Sequence, residues 1–331
     1  TDRSRGLGDV YKRQIVQIDG ITIATLGNFS ASTGKPKSKK TFNVSAIVAS
    51  ALSGKEVLKY KANLPECKNK ILYIDTEQSK CHCHKVLHRI LSLAGMPTDQ
   101  ENDRIEFFVL REYTPDQRRD IIRWALHEET NIGLVVIDGI RDLIHDINSP
   151  SESLDIINEL MRWSSYYELH IHTVLHLNKG DDNTRGHVGT ELNNKAETVL
   201  QISKNMENGN ISEVRAMHIR DKEFTPFAFE IGKDSLPHLV SDYQFKMNKR
   251  DKLTSYVDMT EQQHRSALEI AFQDGAVVGY QALLDALKKG YDSIGYARGR
   301  NTLVNLCKFL LQHEAILKDG RGYSFNEKFN I

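Results

Sequence analysis

From position 15 onward, apolar runs of strand length alternate with stretches whose apolar residues recur at helical spacing. The strand-like runs are 28–33, 71–75, 105–110, 134–138 and 171–177, and the helical stretches between them are 41–52, 80–93, 116–127 and 154–169. Strands alternating with helices of this length predict a mainly parallel sheet with helices on both faces, an α/β fold. Stop signals agree, with Ser53-Gly54 after the first helical stretch and Gly95-Met96-Pro97 after the second. Beyond position 194 the period changes. Segments 198–203, 212–219 and 226–231 read as strands joined by polar turns, which predicts an antiparallel extension at one edge of the sheet.

Residues 15–232 therefore form one expected domain, 233–258 read as a polar linker, and 259–331 form a second unit. In that unit helices are expected at 260–273 and 280–289 around a break at Gly275, then at 297–313, followed by a hairpin over 316–325 that turns at Asp319-Gly320-Arg321-Gly322. Three helices followed by a ribbon is the order of a winged helix. The opening stretch, 1–14, has no methionine and no clear period, and Asp9-Val10-Tyr11-Lys12-Arg13-Gln14 resembles a translated transposase adapter end from a sequencing library. It is read as a non-native segment, against the plainer alternative of a basic arm, and is excluded from fold reasoning.

A length of 331 residues suggests about two domains. With 40% hydrophobic and 27% charged residues, a disordered tail or a fibrous repeat is excluded. No stretch approaches the ~20 apolar residues of a membrane span. Lys and Arg number 44 against 44 Asp and Glu, so any nucleic-acid contact must come from a local patch. Four cysteines make no disulfide framework, and a reducing cytoplasm is the expected setting.

The most informative segment is Gly34-Lys35-Pro36-Lys37-Ser38-Lys39-Lys40-Thr41, between an expected strand and an expected helix. It has the spacing of a Walker A phosphate loop, with Lys39 where the second glycine should stand. Such a loop points N–H groups at phosphate ahead of a helix N-terminus. Lys40 would reach the β- and γ-phosphates and Thr41 would hold Mg²⁺. A lysine at the glycine position fits only where the backbone admits a Cβ. The plain alternative is a basic surface loop.

Three further segments carry acid or polar groups at strand ends. Leu134–Asp138 has the Walker B form, with Asp138 placed for a magnesium-bound water. Glu77, after Ile71-Leu72-Tyr73-Ile74-Asp75-Thr76, is placed to orient or deprotonate a water, although Asp75 or Thr76 could instead simply cap the next helix. His176-Leu177-Asn178-Lys179 ends a strand and leads to a polar loop holding Arg185-Gly186-His187, a candidate γ-phosphate sensor with a basic loop.

Together these segments resemble the RecA-like P-loop ATPases, and among them the RepA-type hexameric helicases of plasmids and mobile elements, over roughly 19–232. The resemblance implies ATP and Mg²⁺ as cofactors, Glu77 as catalytic base, Asp138 as the Walker B carboxylate and His176 as γ-phosphate sensor, with Asn178 as fallback. It implies that 179–190 is a mobile loop facing single-stranded DNA, with Lys179 and Arg185 as contacts. Arg220 and Lys222, in Arg220-Asp221-Lys222, stand where relatives carry a basic pair that reaches the neighbouring subunit's nucleotide, with the residue types reversed. Lys39 is the clearest departure, and it bears on turnover more than on binding.

Other features weigh less. Cys81-His82-Cys83-His84, with His88 and Cys67, suggests a metal site, but Cys81 and Cys83 point to different helix faces. Asp142 and Asp146 follow Asp138 at helical spacing and could bind metal, but read as solvent-facing, and Trp124 and Trp163 read as core. In the C-terminal unit Tyr296, Arg298, Arg300, Asn301, Lys308 and Arg321 form a local excess of positive charge, placed for nucleic acid rather than protein. The leading expectation is an ATP-dependent DNA-acting motor, a self-assembling hexameric ring helicase serving plasmid or mobile-element replication with an initiator or primase as partner. The alternatives are a nucleotide-sensing DNA-binding regulator and, with no acceptor-binding insertion to support it, a small-molecule kinase.

Overall fold

The computed structural model describes residues 14–177, 186–205, 208–241, 243, 245, 255–326, 328 and 329. The chain divides into two compact units, Thr1–Tyr243 and Gln244–Ile331. The first begins with an antiparallel pair, β1 (Gln14–Ile18) and β2 (Ile21–Thr25), before β3 (Phe29–Gly34) enters the main sheet. There follow α1 (Lys40–Ser53), β4 (Tyr60–Ala62), β5 (Lys70–Asp75), α2 (Lys80–Ala94), β6 (Ile105–Val109), α3 (Pro115–Glu128), β7 (Ile132–Asp138), α4 (Pro150–Tyr166), β8 (His170–His176), α5 (Gly186–Lys195) and β9 (Thr198–Lys204). The hairpins β10 (Ile211–Ile219), β11 (Phe227–Ile231) and β12 (Pro237–Leu239) complete the unit.

The main sheet has nine strands in the order β12-β11-β10-β9-β3-β8-β7-β5-β6. From β9 to β6 all neighbours are parallel, and β10, β11 and β12 add on antiparallel. The fold is thus mixed α/β with a large, mostly parallel sheet. Strand β7 is buried at every position, as a parallel strand covered on both faces must be. Helix α1 is buried nearly all round, from Val44 to Leu52, and stops at Gly54, whose left-handed backbone returns its N–H to the Ser50 carbonyl. Helix α3 starts at a capping box formed by Thr114 and Gln117, with Pro115 at its first position.

Several expectations need correcting. Gln14, counted with the excluded opening segment, pairs with Thr25 in β1. Strands β1, β2 and β4 form a second, three-stranded sheet that the sequence pattern did not mark. The polar stretch after Gly232 is not all linker, because β12 pairs with β11. The loop expected over 179–190 is helical from Gly186, because Val188 and Leu192, four residues apart, are buried in the core. Lys179, Arg185 and Asn178 lie outside the described residues. Trp163 is core, but Trp124 is 59% exposed on the outer face of α3.

One polar feature runs through the interior. His170 Nδ1 bonds the Thr25 carbonyl (2.8 Å) and its Nε2 meets Ser30 Oγ (2.7 Å); Ser30 Oγ meets His172 Nδ1 (2.8 Å), and His172 Nε2 meets Ser32 Oγ (2.9 Å). This ladder crosses from β8 to β3, fully buried, with every ring nitrogen partnered.

The second unit contains α6 (Glu261–Ala271), β13 (Val277–Val278), α7 (Tyr280–Ser293), α8 (Arg300–Gln312), β14 (Ile316–Asp319) and β15 (Gly322–Phe325), with strand order β13-β15-β14. Its core gathers Leu268, Leu284, Leu287, Tyr291, Leu306 and Leu310. Tyr296 belongs to that core at 1% exposure, so it is not part of a basic surface. Arg300, Lys308 and Arg321 are exposed, and Arg298 lies over the Tyr296 ring at 4.5 Å.

Candidate active site

Register decides what meets at the carboxyl edge of the sheet. Gly34 pairs with His176, Asp138 with Val174, and Asp75 with Asp138. Strand β8 thus lies between the strand that enters the phosphate loop and the strand that ends in Asp138. The chain reverses its direction of travel across the sheet at this point, which is where open α/β sheets bind ligands.

The backbone of loop 34–41 takes a left-handed turn at the position where the glycine is missing. Lys37 (φ 64°) and Lys39 (φ 68°, ψ 33°) are both left-handed, the conformation a glycine adopts without strain. Lysine at Lys39 therefore keeps the loop shape, at a cost of ~1–2 kcal/mol. Gly34 cannot vary so freely, since a Cβ there would lie 2.2 Å from the Ile202 carbonyl oxygen and 2.5 Å from Ser38 Oγ. Lys35 and Pro36 are exposed, whereas Ser38 is buried with its Oγ unpaired among the described residues, aimed at no protein acceptor.

Lys40 is buried, and its ammonium donates to the carbonyls of Gly34 (2.9 Å) and Lys35 (3.1 Å) and to His176 Nδ1 (3.0 Å). These use all three of its N–H groups, so a phosphate oxygen must displace at least one. Burial lowers its pKa to about 8 against the pull of Asp138 and Glu77. Thr41 Oγ1 donates to Asp138 Oδ2 (3.1 Å), and so does Tyr73 OH (3.0 Å). Burial, and then the charge of Asp75, push Asp138 up to about 6. Asp75 is raised by burial although it accepts the Glu77 and Gln78 backbone N–H groups at 3.0 and 2.7 Å. It therefore caps the turn, and Glu77 is left to face the cleft. Glu77 Oε1 lies 3.7 Å from His176 Nε2, and the imidazole holds its carboxyl below the ordinary range.

Lys37, Lys39, Lys40, Thr41, Glu77, Asp138 and His176 line one cleft of about 460 Å³. Its other wall is the part that sequence reasoning missed. His82, Lys85 and Arg89 on α2 and Phe42 on α1 also line it, with the Arg89 guanidinium 3.6 Å from the Phe42 ring centre. Residues four and seven apart on one helix face could have suggested this wall, but only packing shows that the face turns toward α1. A larger cleft of about 820 Å³, lined by Lys70, His84, His88, Asp99 and Glu106, contains none of the phosphate-loop residues. Among the described residues no group of three or more His, Cys, Asp or Glu could hold a metal ion by itself.

The donor set fits a magnesium–triphosphate complex. A hydroxyl and a carboxylate oxygen 3.1 Å apart suit a hard cation that keeps most of its waters, and the left-handed loop with Ser38 Oγ and Lys40 suits phosphate oxygens. Arg220 and Lys222 are not in this cleft. Ile219, just before Arg220, pairs with Thr198 at the opposite end of β9, and Arg220 Nη2 donates to the Lys195 carbonyl (3.0 Å).

No curated protein matches the chain. The crystal structure of the RadB recombinase is similar at a TM-score of 0.45 and 16% sequence identity, covering 65% of this chain and 91% of that chain. Residues 20–182, which carry the loop 34–41, Glu77, Asp138 and His176, match the protein family described as AAA domain.

Proposed function

We propose that the chain is an ATP-dependent, DNA-acting motor, a RepA-like helicase that works as a hexameric ring in plasmid or mobile-element replication. The observation that carries the reading is the meeting of Lys40, the Thr41–Asp138 pair, Glu77 and His176 at one sheet edge. Lys40 holds the β- and γ-phosphates. Thr41 and Asp138 would hold Mg²⁺ at this edge. When bound, the ion would supply neutralisation of charge on the phosphate oxygens. Glu77 takes the proton of the attacking water, and His176 orients Glu77 from the side facing Lys40. The wall of Phe42, His82, Lys85 and Arg89 receives the nucleoside end.

Arg220 and Lys222 lie beyond the far end of β10, too far to serve this cleft, and they serve the neighbour's nucleotide in the ring. A cation of that kind adds ~10³–10⁵ in rate in related chemistry. The C-terminal unit acts as a winged helix that docks DNA through Arg298, Arg300, Lys308 and Arg321, or docks an initiator or primase. Lys179 and Arg185 are the core-loop contacts to single-stranded DNA.

The second reading, a nucleotide-sensing DNA-binding regulator, is favoured by Lys39, a strained lysine where rapid turnover would ordinarily have glycine. ATP hydrolysis with and without single-stranded DNA separates the two. Wild type should be stimulated, Lys40→Ala should lose nucleotide binding, and Glu77→Gln should bind nucleotide but turn over ~10²–10⁴ more slowly. Absence of stimulated turnover in wild type would leave the regulator. Turnover that survives both substitutions would remove the site assignment.

A further inference from the structure

The lysine that stands in place of glycine has two engagements. Lys39 Nζ donates to the carbonyls of Gly209 (3.4 Å) and Asn210, in the turn between β9 and β10. The same residue lines the cleft beside Lys40 and Thr41. The turn closes the sheet edge next to the phosphate loop, because Thr33 pairs with Gln201 on β9, and Lys204 at the end of that strand pairs with Ser212. It is fastened by its own backbone, with Asn205 N–H to the Ile211 carbonyl (3.0 Å) and Ile211 N–H to the Asn208 carbonyl (3.0 Å). Its carbonyls are therefore a fixed acceptor for whatever reaches them. The charges of Lys204 and Glu230 act on the ammonium in opposite directions.

An ammonium has three donors, and among the described residues the turn takes two of them. We propose that Lys39 is a bridging positioning residue, giving its remaining N–H to a phosphate oxygen while the other two hold the β9–β10 turn. The inference rests on the nucleotide reading above and assigns that site a regulatory link. Linkage is reciprocal: if the triphosphate tightens the turn, the turn tightens the triphosphate by the same factor. A glycine at this position could shape the loop but could not couple it to anything. Strand β10 then runs from the turn to Ile219, next to Arg220, so the bridge joins the phosphate loop to the strand that leads to the cation proposed above for the neighbour's nucleotide.

The test uses the full chain, titrated calorimetrically with the magnesium complex of the slowly hydrolysed analogue ATPγS, and hydrogen exchange at the Asn205 and Ile211 amides. In wild type the analogue should slow exchange at both. Lys39→Met, which keeps the stem and removes the donors, should weaken binding by about tenfold or more and abolish the exchange response, whereas Lys39→Arg should retain both. Melting temperatures of the variants verify folding, and the arginine variant keeps the test valid if the methionine variant is unstable. Lys39→Met and Lys39→Gly that bind like wild type, with the exchange response intact, overturn the bridge. In that case loss of binding in Lys40→Ala shows that the nucleotide reading stands without it. Wild type that binds no analogue overturns the nucleotide reading and the bridge together.

Discussion

The Nδ1 atom of His176 lies 3.0 Å from Nζ of Lys40, and the Nε2 atom of the same ring faces Glu77 Oε1 at 3.7 Å. One imidazole thus stands between the phosphate-loop lysine and the carboxylate that faces the cleft. An ammonium only donates, so Nδ1 is the bare acceptor and Nε2 carries the proton. The tautomer points that N–H at Glu77 and orients its carboxylate.

A side chain that accepts on one side and donates on the other should replace this ring. Glutamine does both, with an amide oxygen for Lys40 and an amide nitrogen for Glu77, while phenylalanine fills the space and does neither. His176→Gln should therefore keep ATP turnover within about tenfold of wild type, and His176→Phe should lose about 100-fold, both with little change in nucleotide affinity. Steady-state rates beside nucleotide titrations check this. Equal losses in the two variants would show that the ring only fills space.

Gly34 sets a steric condition on the same loop. Any Cβ there meets backbone, 2.2 Å from the Ile202 oxygen, which can yield only if β3 and β9 part. Gly34→Ala should cost on the order of 2–4 kcal/mol of stability and weaken nucleotide binding sharply. Gly27→Ala is the comparison, since Gly27 has φ 83° but no atom within 4 Å of an added Cβ. It should cost ~1–2 kcal/mol from the backbone alone and leave binding unchanged. Urea unfolding and calorimetric titration of both variants separate the steric effect from the torsional one.

Much of this site was legible because strand ends and spacing carry it. Strands β5 and β7 are unbroken apolar runs that stop at Asp75 and Asp138, and the loop keeps its spacing even with Lys39 inside it. What could not be read depends on strands far apart in the chain. Ser30 and His170 meet across 140 positions, and neither residue has a period that predicts the other. Helix α5 was hidden because Gly186, Gly189 and Thr190 have the composition of a loop, while only Val188 and Leu192 mark its buried face. The contribution of α2 to the cleft was hidden for a related reason: Arg89 looks like a solvent-facing residue until the packing of α2 on α1 is known, and Lys85 stays exposed while lining the cleft.

The buried histidine ladder makes acid stability predictable in sign. Burial holds His170 at about 4 and His172 at about 3. An unfolded histidine titrates near ~6.5, so below that pH the unfolded chain takes up protons that the native state refuses. Stability should therefore fall as pH drops from about 6.5 toward the folded values, with no contribution from the pair above that window. Glu197, whose Oε2 is 4.0 Å from His170 Nδ1, is the carboxylate nearest the ladder, and Asp138, held at about 6, works in the opposite direction. Comparison with His172→Gln isolates the ring from both. Wild type should lose about 3 kcal/mol more than the variant between pH 7 and pH 4, read from urea unfolding at each pH. Parallel curves would mean that the ladder takes up protons without unfolding.

Arg118 governs how the acidic strand ends are held relative to one another. From α3 its guanidinium donates to the carbonyls of Leu110 (2.9 Å), Asp142 (2.7 Å), Arg111 (3.0 Å) and Thr76 (3.4 Å). These carbonyls belong to the segments after β6, β7 and β5, and Thr76 immediately precedes Glu77. A planar fork can serve several acceptors at once, whereas a lysine ammonium at the end of a flexible stem cannot reproduce the spread. Arg118→Lys should therefore behave more like Arg118→Ala than charge conservation suggests. Both should lose on the order of 2–4 kcal/mol of stability, and the maximal rate of hydrolysis should fall by more than nucleotide affinity, because Lys40 and the phosphate loop lie on other strands. Thermal unfolding and a separation of kcat from KM check the two parts. A rate and affinity that fall together would show that Arg118 supports the fold as a whole and has no special hold on the turn that presents Glu77.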